Sequence, residues 1–136
     1  MKNILVTGGA GFIGSHACIS LLENNYLVTV LDSYINSSPL VINNIKNIFS
    51  KKPEILKNRI RFFKGDIRDE KCLKRIFHYF QIKNNPIQAV IHLAGLKSVR
   101  ESIQNPAKYK EFNVYGSSNL FNIIKLYNCK NIVFSS

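Results

Sequence analysis

Three glycines, Gly8, Gly11 and Gly14, follow an apolar run at residues 4–6 that has the length and β-branched content of a buried strand. Between a strand and a helix, this spacing suits the binding of a phosphate. One glycine allows a tight turn, one lets bare backbone approach a pyrophosphate, and Gly14 lets the helix lie close to the sheet. The N–H groups at the helix start then face the anion, aided by the helix dipole. The spacing therefore predicts a dinucleotide site.

An acidic residue follows the second apolar run. Residues 27–31 predict a strand that ends at Asp32, close to the offset of about 20 residues at which an acid meets the adenosine ribose of a dinucleotide. A carboxylate accepts a hydrogen bond from a 2′-hydroxyl and repels a 2′-phosphate. We therefore expect NAD as the cofactor, in preference to NADP.

Helices and strands alternate along the chain. Helix faces are predicted from apolar residues at helical spacing: Ile13, Ala17 and Leu21; Ile42, Ile45, Ile48 and Phe49; Leu73, Ile76, Phe77 and Phe80; and Leu120, Ile123, Ile124 and Tyr127. Further strands are predicted at residues 60–64, 89–93 and 132–136. Asp69 is placed to cap the third of these helices. The helical segment 99–127 is interrupted at residues 105–106, and Gly116 permits close packing inside it.

This alternation, without a hairpin signal, is typical of the α/β class. We predict a Rossmann-like doubly wound parallel sheet of strand order 3-2-1-4-5, with the first strand central. Residues 1–136 are expected to form one NAD-binding domain. An apolar strand at the end of the chain would lack the elements that normally cover a doubly wound sheet, so we expect the domain to be truncated after the fifth strand.

Composition narrows the function classes. The chain has 19 lysines and arginines against 8 acids, a net charge of +11, but the bases are scattered and favour a solvated basic surface over a nucleic-acid site. No signal peptide and no apolar run of the ~20 residues that a membrane span needs is present, so we expect a cytoplasmic protein without a membrane partner. Cys18, Cys72 and Cys129 lack metal-ligand spacing and are interpreted as reduced thiols.

Five motifs together resemble a known family. They are TGGAGFIGSH from Thr7, GDIRD from Gly65, HLAGLK from His92, Val99 with Glu101 and Ser102, and FSS from Phe134. The sequence resembles the extended short-chain dehydrogenase/reductases, and within them the UDP-glucose 4-epimerases. The resemblance covers all 136 residues but only the first part of a family member. It departs from the epimerase pattern at Ser33, where an asparagine is common, and at Arg100, where a glycine is usual.

The resemblance implies roles for individual residues in binding the cofactor. The implied NAD-binding residues are Gly8, Gly11, Phe12, Ile13 and Gly14 at the pyrophosphate; Asp32, Ser33, Asn36 and Ser37 at the ribose and phosphate; Asp66 and Ile67 at the adenine; and Leu93, Ala94, Gly95 and Lys97 towards the nicotinamide. Asn113, on the following helix, and Ser135 are also implied to contact the cofactor. His92, which alternates with Val90, is interpreted as a core or subunit-facing histidine, not as a catalyst. No metal site is expected.

The resemblance also implies an activity. Family members interconvert UDP-glucose and UDP-galactose with NAD, using a tyrosine, a lysine four residues later and a serine; their partner is a UDP-sugar, and the full-length form can be a homodimer. Of the tyrosines here only Tyr79 has a lysine at i+4, Lys83, and the resemblance covers only the part of a family member that precedes its catalytic segment, so the catalytic residues are expected downstream of Ser136 and we expect no epimerisation by this chain alone. Two alternatives stay open. One is a related nucleotide-sugar epimerase, 4,6-dehydratase or decarboxylase, and the other is a non-catalytic NAD-binding fragment.

Overall fold

Five parallel strands and their connecting helices make up the fold in a computed structural model, which describes residues 1–135. The strands are β1 Asn3–Thr7, β2 Leu27–Asp32, β3 Ile60–Lys64, β4 Ile87–His92 and β5 Asn131–Phe134. The helices are α1 Phe12–Glu23, α2 Leu40–Ile48, α3 Pro53–Asn58, α4 Glu70–Ile82, α5 Val99–Gln104, α6 Pro106–Tyr109 and α7 Gly116–Leu126, with a π-helical segment at Lys110–Tyr115.

The strands lie in the order β3-β2-β1-β4-β5, which confirms the predicted doubly wound sheet. β1 is central, with Leu5 opposite Thr29 of β2 and Val90 of β4. The connections from β1 to β2 and from β3 to β4 therefore lead to opposite sides of β1. In such sheets, a crevice opens at the carboxyl ends of the strands where the winding direction changes.

Each face of the sheet has its own core, because alternate strand residues point to opposite faces. Ile4 and Val6 pack with Cys18 and Leu22 of α1 and with apolar residues of α2 and α3. Leu5 faces the other way. The core on that side is formed largely by the predicted apolar positions of α4 and α7: Leu73, Ile76, Phe77, Phe80, Leu120, Ile123 and Ile124. Both helix faces are thus confirmed.

The predicted face of α1 is wrong by one residue. Gly14, Cys18 and Leu22 are buried, whereas Ile13 is 55% exposed. The glycine turn causes the shift, since a Cβ at Gly14 would lie 2.1 Å from the carbonyl oxygen of Gly8. The close approach of Gly14 to the turn rotates α1 so that the residues four and eight positions later face the sheet.

Other boundaries also differ from those predicted. The connector before β3 contains the short helix α3, which begins with Pro53 at a favourable first position. Ile45 of α2 and Phe49, which follows the helix, are buried, but Ile48 is exposed. β5 begins at Asn131 and ends at Phe134, and its residues are exposed; Ser136, which we predicted to be part of it, lies outside the described residues.

Several smaller expectations can be compared with the structure. The Asp69 side chain accepts a hydrogen bond from the N–H of Cys72 and so caps α4, as predicted. A Cβ at Gly116 would lie 2.9 Å from Ile67, which confirms the close packing there. The three cysteines are free, and burial raises the pKa of Cys18 to about 12. Within residues 1–135, no helix is long and apolar enough to cross a membrane, and no group of side chains could hold a metal ion.

Candidate dinucleotide site

A cleft of about 190 Å³ opens at the carboxyl ends of the strands, on both sides of β1. The turn after β1 forms its floor, and the loops after β2, β3 and β4 form its walls. A second depression of about 440 Å³ adjoins it between α1 and α2 and shares Gly11, Phe12 and Asn36 with it. Because the two share part of their lining, an elongated ligand in the cleft can extend towards the depression.

The glycine turn brings bare backbone to this cleft. Gly8 has a φ of +72°, and a Cβ there would lie 2.8 Å from the N–H nitrogen of Ala94. This position therefore requires glycine both for its backbone conformation and for lack of space. Gly11 precedes α1 as its N-cap, and within the described residues no side chain caps the helix. The backbone N–H groups at the start of α1 are therefore available to an anion at the cleft floor.

The Asp32 carboxylate lies at the end of β2 and is 94% buried. Oδ2 accepts a hydrogen bond from the N–H of Ala10 at 2.9 Å, and Oδ1 accepts from the N–H of Tyr34 at 2.8 Å and the hydroxyl of Ser37 at 3.0 Å. A carboxylate has about four acceptor positions. One therefore stays free for a ligand hydroxyl, while the three bonds fix the carboxylate beside the glycine turn.

Asp66 and Arg68 shape the wall that follows β3. Both carboxylate oxygens of Asp66 accept hydrogen bonds from the Arg68 guanidinium, at 2.8 to 3.1 Å, and Oδ1 also accepts from the N–H of Arg68. Burial acts to raise the pKa of Asp66, but the bonds from Arg68 outweigh it and hold this pKa below its usual value. The wall thus presents an ionised carboxylate at neutral pH.

The opposite wall is the chain after β4. The hydroxyl oxygen of Thr7 accepts hydrogen bonds from the N–H groups of Leu93 and Ala94, both at 3.2 Å. The Asn36 side chain donates to the carbonyl of Gly95 at 3.0 Å, which joins the loop after β2 to the loop after β4. These contacts hold the β4 loop beside the glycine turn.

The π-helical segment contributes two neighbouring residues to the site. The side-chain amide of Asn113 accepts from the N–H of Leu96 at 2.8 Å and donates to the carbonyl of Leu96 at 2.9 Å. Phe112 lines the cleft and lies under the Arg68 guanidinium, 3.6 Å from the ring centroid. The segment therefore fixes both walls, and single-turn π-helices occur often at functional sites.

Most of the predicted site residues come together in the cleft. Those lining it are Gly8, Gly11, Phe12, Asp32, Ser33, Asn36, Asp66, Ile67, Leu93, Ala94, Gly95 and Lys97. Five others lie outside its lining. Gly14 contacts the turn, Ile13 is exposed at the start of α1, Ser37 lines the adjoining depression, Asn113 contacts Leu96, and Ser135 follows β5 with its N–H donating to His92. The predicted contacts of all these residues with a cofactor stay predictions.

Sequence reasoning missed five residues of the lining: Leu31, Ile35, Gly65, Leu96 and Phe112. Leu31 and Gly65 adjoin predicted site residues, and the position of each at the carboxyl end of a strand could have indicated it. Ile35 and Leu96 lie inside loops whose other residues were predicted. Phe112 had no comparable signal, because its position depends on the winding of the π-helical segment.

A comparison with protein-family models matches residues 5–136 to the family described as GDP-mannose 4,6 dehydratase. The relatives described next are UDP-glucose 4-epimerases. The chain belongs to the extended short-chain dehydrogenase/reductase family. The resemblance drawn from the five motifs is thereby confirmed.

Three similar members of this extended family illustrate the match. The chain is 46% identical over 136 residues to UDP-glucose 4-epimerase from Neisseria meningitidis serogroup A, covering all of this chain and 37% of the relative. It is 42% identical to UDP-glucose 4-epimerase 2 from Arabidopsis thaliana, covering 99% of this chain and 36% of the relative. The crystal structure of UDP-glucose 4-epimerase from Bifidobacterium longum with NAD+ and UDP superposes with a TM-score of 0.85 at 39% identity, covering 99% and 37% of the two chains.

The chain spans about 36% of the length of the extended-family relatives that it matches. The part shared with the Bifidobacterium structure is the whole described sheet and its helices, and this includes the walls and the floor of the cleft.

Proposed function

We propose that this chain is the NAD-binding part of a UDP-glucose 4-epimerase, an isomerase of nucleotide-sugar metabolism that interconverts UDP-glucose and UDP-galactose. One observation carries the proposal: the glycine turn and the Asp32 carboxylate are joined by the hydrogen bond from Ala10 at the floor of the cleft. The two features that recognise a pyrophosphate and an unphosphorylated ribose thus lie side by side. The Bifidobacterium relative was crystallised with NAD+ and UDP, which supports the same cofactor and a UDP-sugar substrate here.

The residues present fit this cofactor. A Cβ at Gly11 would meet only the carbonyl oxygen of Gly8, at 3.2 Å, so the space in front of Gly11 is open to a pyrophosphate. The free acceptor position of Asp32 can receive one ribose hydroxyl, and the Asp66 carboxylate can accept from the amine of an adenine. Leu93, Ala94 and Lys97 would lie towards the nicotinamide.

When bound, NAD would accept a hydride from the sugar and return it. The chain's own part is to bind and orient the dinucleotide. Backbone N–H groups at the start of α1 would hold the pyrophosphate, and the loop after β4, fixed by Thr7 and Asn113, would position the nicotinamide end. The base that takes the proton from the sugar hydroxyl is proposed to lie downstream of Ser136.

Residues 1–136 would form one NAD-binding domain, acting in the cytoplasm on a UDP-sugar, with a homodimer as one state of the full-length form. The scattered basic residues support the expectation that nucleic acid is not a partner. A related nucleotide-sugar 4,6-dehydratase is the second candidate, favoured by the description of the matching family. The names of the two relatives above favour the epimerase.

Calorimetric titration of the chain with NAD and with NADP tests the cofactor part. A 2′-phosphate would be placed against the Asp32 carboxylate, and loss of one charge-assisted hydrogen bond corresponds to roughly a tenfold or larger change in affinity. We therefore expect NAD to bind at least about ten times more tightly than NADP. Equal affinities, or no binding of either dinucleotide by the folded chain, would contradict the proposal.

A further inference from the structure

Arg68 connects two elements that form one side of the cleft. Its Nε and one terminal nitrogen donate to Asp66 in the loop after β3, as a two-pronged contact of 2.8 to 3.1 Å. Its other terminal nitrogen donates to Glu111 at 2.7 Å, and its guanidinium lies 3.6 Å from the centroid of the Phe112 ring. Glu111 and Phe112 both belong to the π-helical segment.

This arrangement differs from an ordinary surface ion pair. An exposed pair of single charges contributes about 0–1 kcal/mol and leaves both side chains mobile. The Arg68 and Asp66 side chains are each only 28% exposed, and the guanidinium is engaged at its edge and on its face at once. A planar fork on a carboxylate also fixes the carboxylate's orientation, which a point charge does not.

The oriented carboxylate lines the cleft. Three N–H groups of Arg68 donate to Asp66: the backbone N–H, one terminal N–H, and the Nε–H, which both oxygens share. A carboxylate offers about four acceptor positions, so with three donors in place about one position is left for a ligand in the cleft. The same guanidinium holds the ring of Phe112, which is a neighbouring part of the wall.

We propose that Arg68 is a positioning residue for recognition of the nucleotide base. It holds the Asp66 carboxylate, through the fork and with Phe112 as a platform, in the orientation that accepts a hydrogen bond from the exocyclic amine of adenine. This inference rests on the proposed NAD-binding function and adds to it the group that determines selectivity for the base. Arg68 itself need not touch the ligand.

The probe is a pair of dinucleotides that differ only at the base. NAD carries the exocyclic amine, and nicotinamide hypoxanthine dinucleotide carries a carbonyl oxygen in its place. The amine of NAD can donate to the Asp66 carboxylate, and hydrogen bonds to charged groups are stronger than those between neutral groups. A carbonyl oxygen in the same place is repelled by the carboxylate. We expect the wild-type chain to prefer NAD by at least about tenfold, measured by calorimetry.

Variants of Arg68 then test the positioning role. We expect Arg68→Met to reduce the ratio of the two affinities towards one, since the carboxylate loses its fork. Arg68→Lys should lose most of the ratio too, because an ammonium is a point charge that cannot hold both oxygens and the ring together. Arg75→Met is the matched control: Arg75 is exposed on α4, and its loss changes the net charge equally while leaving the ratio unchanged.

Phe112→Leu provides an independent variant, which removes the platform but leaves the fork, and we expect an intermediate ratio. Circular dichroism identifies any variant that fails to fold, and the inference is then decided on those that fold. Full selectivity in folded Arg68→Met or Arg68→Lys would overturn it, as would a wild-type chain that binds both dinucleotides equally. A wild-type chain that binds neither would overturn the proposed function, and this inference with it.

Discussion

The hydroxyl of Thr7 lies 2.6 Å from Nδ1 of His92, and this contact joins the last residues of two adjacent strands that pair in register. The same hydroxyl oxygen accepts from the N–H groups of Leu93 and Ala94. Because a hydroxyl has one proton and two lone pairs, its proton goes to Nδ1. The proton of the neutral imidazole is then assigned to Nε2, which lies 2.8 Å from the hydroxyl of Ser117. His92 is thus a satisfied core histidine, as one of the two sequence interpretations proposed.

This bonding predicts a pH dependence of stability. Burial lowers the pKa of His92 to about 4, whereas an exposed histidine titrates near 6.5. Between these values the unfolded chain binds a proton that the folded chain does not. Stability is therefore fully present above about pH 6.5 and falls as the pH is lowered towards 4, by about 3 kcal/mol in total.

Urea unfolding between pH 4 and 7.5 measures this dependence. His92→Asn removes the titrating group, so we expect the slope between pH 6.5 and 4 to become flatter, with lower stability at pH 7. His78 is exposed on α4, and His78→Asn should leave the slope unchanged. The same slope in His92→Asn as in the wild type would show that other groups cause it.

Substitutions at Gly11 and Gly14 should separate binding from folding. Gly11 has an extended backbone that any residue adopts, and a Cβ there meets only the Gly8 carbonyl at 3.2 Å. We expect Gly11→Val to keep the helix content while weakening NAD binding by about 100-fold or more, because its side chain displaces the pyrophosphate from several backbone N–H groups. Calorimetry with circular dichroism measures both effects.

Gly14→Ala is the counterpart. Its Cβ would lie 2.1 Å from the Gly8 carbonyl oxygen and 2.8 Å from Cα of Gly9, so α1 must move away from the turn. Overpacking of this kind costs about 1–3 kcal/mol, and we expect the midpoint of urea unfolding to fall accordingly. A Gly14→Ala chain as stable as the wild type would contradict the close contact.

The sequence predicted the sheet well because its signals were local. Each strand was an apolar run ended by a polar or glycine-rich loop, and α4 showed one clear apolar face. For α1 the predicted face was one residue off, because the contact of Gly14 with the turn directs Cys18 and Leu22 to the sheet. That contact depends on tertiary packing, which apolar periodicity does not contain.

The candidate site, like the fold, was predictable where the signal was local and not where it depended on tertiary packing. The glycine turn and Asp32 were predictable from their spacing, because parallel strands bring their carboxyl ends to one edge of the sheet. The site residues after β3 and β4 were implied by the family resemblance. The role of the π-helical segment was not predictable, since one extra residue in a helical turn leaves no pattern in the sequence. Phe112 was therefore missed, and the bonds of Asn113 with Leu96 could not be foreseen.

Asp32 should determine both stability and the choice of cofactor. In Asp32→Asn an amide NH₂ must face one of the three donors that now point at the carboxylate. We expect a loss of about 1–3 kcal/mol in the free energy of unfolding and a weaker preference for NAD over NADP. Ser37→Ala is the control, because it removes one donor and keeps the charge. It should cost about 1 kcal/mol and leave the preference intact; an unaltered preference in Asp32→Asn would contradict the role of the carboxylate.

Asn113 should control the mobility of the loop after β4. Its amide makes two hydrogen bonds with the backbone of Leu96, much as a neighbouring strand would. In Asn113→Ala the N–H of Leu96 loses its acceptor, a bond worth about 1 kcal/mol, so we expect its hydrogen exchange to accelerate by roughly 5- to 10-fold. The N–H of Val90 in the central part of the sheet should keep its exchange rate relative to global unfolding. Asn122→Ala, at an exposed position of α7, should change neither amide.

Because the proposed nicotinamide end depends on this loop, NAD affinity should also fall in Asn113→Ala and not in Asn122→Ala. Unchanged exchange at Leu96 would contradict the role of the Asn113 hydrogen bonds in holding the loop.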